Sequence, residues 1–179
     1  MGNADRLPRA APKATIILAG AMLALAAVSA PAASVAPPYA KLASLLGTPK
    51  LADAVQPRDK SRLLLHFVRP GESTSHWTKM TTVSIAVVPK PETQAATYGI
   101  IDRFHRDLLH RRARITTFDL APIKPYSAYF AFQAGGEHDQ GIAYSPAVGF
   151  VTIAQVAEKK SGAISKNDVK VLKSLIGRS

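Results

Sequence analysis

The sequence contains no cysteine. That excludes disulfides, thiolate nucleophiles, Cys-ligated zinc, iron–sulfur clusters and a lipid-modified N-terminal cysteine. Acidic side chains are scarce, 12 Asp and Glu against 23 Lys and Arg, a formal net charge of +11. Aromatics make up 7% of the chain, with a single tryptophan. No G-x-S-x-G, H-E-x-x-H, S-x-x-K or Walker sequence occurs, and the five histidines are scattered. A Ser/His/Asp set could still assemble in space. The pattern itself offers no catalytic residue, no cofactor motif and no metal motif. No internal repeat is found.

Near the N-terminus an uncharged, mostly apolar run follows a basic flank. Thr15 to Ala33 reads TIILAGAMLALAAVSAPAA and follows Arg6, Arg9 and Lys13. A basic start, an apolar core at Ile16–Val28 and an A-x-A site at Ala30-Pro31-Ala32 make a secretory signal, cleaved before Ala33. The stretch nearly reaches the roughly 20 apolar residues of a spanning helix. It is rich in Ala, however, which contributes little to insertion. Cleavage is therefore the expectation, giving a periplasmic or secreted protein. The alternative is an inner-membrane anchor facing the periplasm. Either way the basic flank stays cytoplasmic. Arg6 and Arg9 are not adjacent, so a twin-arginine signal is not indicated. Losing residues 1–32 leaves 20 basic against 11 acidic side chains, still a strongly basic domain.

The chain then divides into a linker over 33–60, with room for a short helix at Tyr39–Leu46, and one domain over 61–179. Residues 31–38 (PAASVAPP) are linker-like in composition. Leu51–Lys60 reads as a loop or an irregular edge strand. Arg62–Arg69 and Trp77–Val88 alternate like two strands of an antiparallel hairpin, turned by Pro70-Gly71. Thr93–Arg112 is a helix whose apolar stripe gathers Thr97, Ile100, Ile101, Phe104 and Leu108. Gly99 within it suggests a close approach to the sheet. Tyr126–Phe132 is a strand by alternation, and Gly135–Gly141 a turn or flexible loop. Gly141–Tyr144 and Val148–Ala157 are strands parted by Ser145-Pro146. Ser165 caps a last helix with Val169, Leu172 and Ile176 inward. The order β-β-α-β-β-β-α gives an α+β domain: a four- to five-stranded antiparallel sheet with two packed helices.

Three groups of residues invite a functional reading. Glu72, His76 and Trp77 meet at the first hairpin turn. There Trp77 could stack on a ligand, or plug the core edge while Glu72 bonds the turn. Glu137, His138 and Asp139 are metal-ligand types. They are too tightly adjacent to converge on one ion without His76 or His66, and a solvated turn is the simpler reading. Arg103, Arg106, His110 and Arg114 gather opposite the apolar stripe of the long helix. They could dock on phospholipid, lipopolysaccharide or an acidic envelope protein, or form a solvated face balanced by Asp102 and Asp107. Nucleic acid is disfavoured by export and by the lack of interleaved aromatics on that face.

The segment FVRPGESTSHWTKMTTVSI resembles a group of short, exported, uncharacterised proteobacterial proteins, through Gly71, Glu72, Trp77, Thr78, Met80 and Thr82. The layout also loosely resembles the Mog1/PsbP-like α/β/α sandwich, a fold of binding and assembly proteins. That resemblance implies helices around a sheet and carries no function with it. The sequence thus leads to a non-enzymatic binding or assembly module of the cell envelope. Its alternative is a small-ligand binder or unrecognised enzyme at the Glu72–Trp77 corner.

Overall fold

The computed structural model describes residues 32–58, 60–121, 125–159 and 165–177. Nearly all of the signal or anchor segment lies outside them. The elements run α1 (Ala32–Leu45), β1 (Lys50–Val55), β2 (Arg62–Val68), β3 (Lys79–Val87), α2 (Thr93–His110), β4 (Arg114–Leu120), β5 (Ala128–Ala134), β6 (Glu137–Tyr144), β7 (Phe150–Lys159) and α3 (Lys166–Ser174). The seven strands form one sheet in the order β1-β2-β3-β7-β6-β5-β4, antiparallel throughout. Two meanders therefore meet at β3 and β7. Helix α2 carries the chain from the middle of the sheet to its far edge.

The sheet exceeds the expected four to five strands because β1 and β4 are its edges. An edge strand buries little on either face, so its sequence need not alternate. Both are also irregular, with register shifts between Leu51 and Asp53 and between Ile115 and Thr117. A third helix is present as well. Helix α1 starts at Ala32, within the stretch read as linker, and is held where Leu42, Ala43 and Leu46 enter the core.

Gly135–Gly141 is not a flexible loop. Only Gly135 and Gly136 turn, both at positive φ, and Ala134 pairs directly with Glu137 across them. Two glycines at positive φ suit a tight hairpin whose twist matches its strands. Strand pairing begins at Glu137, so this acidic segment lies within the sheet. A Cβ at Gly99 would meet nothing within 4 Å, whereas Gly141 makes the close approach. A Cβ there would meet the Ala154 carbonyl and the Phe130 ring, which lies across the opposite position.

Each face of the sheet has its own core. On one, α1 and α3 lay Leu42, Leu46 and Leu172 over Leu65, Phe67 and Val83. On the other, α2 lays Ile101, Phe104 and Leu108 over Phe130, Phe132 and Ile153. Thr97 is buried with that stripe, and Ile100 is half-buried at its border. The α3 cap is as expected: Ser165 Oγ accepts from the Asn167 N–H at 3.2 Å. Asp168, one residue on, is buried and bonds Lys79 Nζ at 2.6 Å, tying α3 to β3.

Candidate functional site: an arginine-flanked cleft beside α2

The two faces are not equally covered. Helix α2 packs on β6 and β7, and among the described residues no second helix packs on the β2–β3 half of that face. Its start is fixed there by Thr93. The Thr93 hydroxyl donates to the Lys90 carbonyl at 2.8 Å and accepts from the Gly149 N–H at 2.8 Å. Arg112, at φ +56°, ends the helical run.

A cleft of about 290 Å³ follows the open flank of α2. Its floor belongs to three adjacent strands in register. Arg62 (β2), Ala86 (β3) and Val151 (β7) form one row, and Ser84 and Ile153 belong to the next. Its wall is Ile100, Arg103, Phe104 and Asp107 of α2, with Arg111 just past the helix end. Spacings of three, four, seven and eleven residues place these on one side of a helix. The surface is thus apolar between guanidinium groups on both sides. Arg111 is committed to Asp107 at 2.8 Å. Arg62 and Arg103 make no ion pair among the described residues. No histidine is among the residues that line the cleft.

No family model matches this chain, and no curated protein matches it. Among solved structures it is similar to the extracellular domain of PknH from Mycobacterium tuberculosis, at 10% identity and a TM-score of 0.39, over 76% of this chain and 67% of that one. It is also similar to cyanobacterial PsbP (CyanoP) from Synechocystis sp. PCC 6803, at 11% identity and a TM-score of 0.36, over 70% of this chain and 86% of that one.

Of the residues expected to form a basic patch, Arg103, Arg106 and His110 are all exposed on α2. Arg103 turns into the cleft. Arg106 pairs with Asp102 at 2.7 Å, its side chain 70% exposed, and His110 is also exposed. Arg114 lies beyond the helix, at the start of β4.

The Glu72–Trp77 corner separates. Glu72 Oε1 accepts from the Thr78 N–H at 3.1 Å and the Thr78 hydroxyl at 2.5 Å. Burial raises the Glu72 pKa, but these Thr78 hydrogen bonds, with help from Arg69, hold it below the usual value. Trp77, 5% exposed, packs with Val68, Met80 and Ala157, and Lys159 Nζ sits 3.8 Å from its ring centroid. His76 is exposed and bonded to Ser75.

Sequence reasoning missed a buried polar group on the α2 face. Strand alternation puts Glu137 and Asp139 on that face and His138 on the other, which splits the three ligand types. Asp139 is 1% exposed, and its Oδ1 accepts from Gln155 Nε2 at 2.6 Å. Burial pushes its carboxyl up to about 7; the Gln155 hydrogen bond opposes this and the charge of Glu137 adds to it. His66 is 7% exposed, and burial lowers its pKa against the pull of Asp53, 3.9 Å away. Both ring nitrogens of His66, Asp139 Oδ2 and Gln155 Oε1 are buried with no hydrogen-bond partner among the described residues. The available signal was Gln155, an amide inside the apolar run Val151–Ala157.

Proposed function

We propose that this chain is a non-enzymatic binding module of the cell envelope, exported by its N-terminal segment, and that the cleft beside α2 receives an anionic group of its ligand. The observation that carries this is Arg62 and Arg103, both without ion pairs among the described residues, flanking an apolar floor. Surplus positive charge draws anions to the surface, and an apolar floor between guanidinium groups retains an anion that also has an apolar face. The remaining exposed arginines of α2 raise the encounter rate without shaping the site.

The test uses 8-anilinonaphthalene-1-sulfonate, an aromatic sulfonate, as the probe. The wild-type chain is expected to bind it at one saturable site with salt-dependent affinity. Arg103→Glu and Arg62→Glu should each weaken binding about tenfold or more, since hydrogen bonds to charged groups contribute about 1.5–3 kcal/mol. Arg106→Glu should change it little. Equal losses at all three positions would mean a diffuse charge effect and would sink the cleft.

A further inference from the structure

We infer that the end of the sheet where α1 begins docks on an anionic phospholipid bilayer, with Val87, Val148 and Phe150 entering the headgroup layer and Arg58, Lys60 and Lys90 meeting its phosphates. None of these six residues lines the cleft, and the surface does not depend on it.

Exposed apolar side chains carry the first part. Among the described residues, Val87, Val148 and Phe150 are exposed large hydrophobics that share this tip, whereas Leu45, Leu51 and Leu109 stand on other elements. Val87 and Phe150 pair across β3 and β7. Val148 belongs to the turn before β7. There the Val88 N–H donates to the Gly149 carbonyl at 2.9 Å and the Phe150 N–H to the Ala147 carbonyl at 3.1 Å. Pro89, Pro91 and Pro146 are exposed beside them and bring no N–H group. The tip thus presents apolar side chains while these turn donors are satisfied within the chain, as lipid demands of a backbone that enters it. Single exposed hydrophobics are ordinary, but a group of them marks a contact surface.

Charge and chain direction select the bilayer as the occupant. The β1–β2 turn supplies Arg58 and Lys60, and the Val87 N–H ties it to the tip by donating to the Ser61 carbonyl at 3.0 Å. Lys90 lies alongside, since a Cβ at Gly149 would stand 3.4 Å from its Cγ. All three cations are exposed and make no ion pair among the described residues; Asp59 and Glu92 are the acids in these two segments. A lysine stem along apolar surface, with its ammonium beyond, suits an anionic headgroup layer. Helix α1 leads to the same end. The Tyr39 hydroxyl meets Thr152 Oγ1 at 3.2 Å and the Thr48 hydroxyl meets Thr81 Oγ1 at 2.6 Å, so α1 runs from the Ile85–Thr152 row toward Thr81. Its first residue, Ala32, precedes Tyr39 by about 10 Å of helix. The Val87–Phe150 row lies about 7 Å beyond the Ile85–Thr152 row. Helix α1 therefore begins at the exposed tip, and the uncharged run Thr15–Ala33 leads into it. A chain held by that run as an anchor brings this tip to the bilayer first.

The test uses the full chain in three settings: vesicles of phosphatidylglycerol with phosphatidylcholine, vesicles of phosphatidylcholine alone, and buffer. The sequence has no cysteine, so Val148→Cys carries a single nitroxide label, and Ser75→Cys labels the opposite end of the sheet as control. On the anionic vesicles the Val148 label should lose access to an aqueous nickel reagent and gain access to oxygen, while the Ser75 label keeps its water exposure. Each basic residue near an anionic surface strengthens attraction about fivefold. Lys90→Glu should therefore shift the balance of lipid-contacting and water-exposed Val148 label by about fivefold or more toward water, and Lys90→Arg should leave it in place. Three results overturn the inference. One is a Val148 label as water-exposed as the Ser75 label on anionic vesicles. Another is equal lipid contact with and without phosphatidylglycerol. The third is spin–spin broadening of the Val148 label in buffer that vesicles do not relieve, which would give the tip to a second copy of the chain.

Discussion

The two faces of the sheet use buried polar groups differently. On the face under α1 and α3 they are almost all paired. Thr48 meets Thr81 at 2.6 Å, Tyr129 donates to Gln140 at 2.8 Å, and Lys79 bonds Asp168 at 2.6 Å and Glu158 at 3.1 Å. Gln140 keeps one unpartnered nitrogen. On the face under α2 the polar side chains His66, Gln155 and Asp139 leave four buried atoms unpaired among the described residues, and a cleft with arginines on both sides lies on the same face. One face is closed by two helices and stabilises the fold. The other is packed by α2 on its β6–β7 half and leaves these four side-chain atoms without a partner among the described residues.

This contrast can be broken from the closed side first. Lys79→Ala leaves Asp168 and Glu158 without their buried cation. Removing one member of a buried ion pair costs about 3–5 kcal/mol, and urea unfolding should show a loss of about 3 kcal/mol. A loss below about 1 kcal/mol would mean that the pair is solvated and the face less closed than described.

Next in size is the pH dependence of the open face. Asp139 has a folded pKa raised to about 7 from an unfolded value of 3.8. Its folded form binds protons more tightly, so it contributes stability at low pH that is lost as pH rises through about 7. Glu137, raised by burial, acts in the same direction; Asp168 on the closed face does so too. His66, lowered by burial, opposes them by destabilising the fold as pH falls below its unfolded value of 6.5. Asp139→Asn should therefore flatten the stability decline between pH 5 and 8 by on the order of 2 kcal/mol. An unchanged decline in denaturant midpoints would count against a strongly raised Asp139.

Two glycines sharpen the comparison at smaller cost. Gly141→Ala drives a methyl group into a backbone carbonyl and the Phe130 ring, and overpacking of this kind costs about 1–3 kcal/mol. Gly99→Ala, in open space on α2, should stabilise the fold by about 0.5–1 kcal/mol. Thermal melts of the two variants should move in opposite directions.

Which parts were legible in the sequence follows from the same physics. The α2 stripe, the Ser165 cap and the central strands could be read locally, because burial imposes periods of 3.6 and 2 on consecutive residues. Edge strand β4 escaped, and β1 was read only as a loop or an irregular edge strand, because solvent leaves edge sequences weakly patterned. Glu137–Asp139 looked like a solvated turn because acidic residues beside two glycines usually are, and the pairing that buries them lies on β7. Within the site, Arg103 was singled out, but as part of an outward patch. Nothing local says that it faces Arg62, 41 positions earlier in the chain. The cleft exists only because β3 and β7 are neighbours, a long-range pairing that no short motif encodes. Glu72 and Trp77 stood out as residue types, and their own turn and core engage them.

The most direct test of the open face is amide chemical-shift mapping of the full chain with the sulfonate probe. The account expects saturable shifts concentrated at Arg62, Ser84, Arg103 and Val151, with the α1 and α3 face unchanged. Shifts centred on Trp77 and the β2–β3 turn, or spread over Arg106, His110 and Arg114, would contradict it.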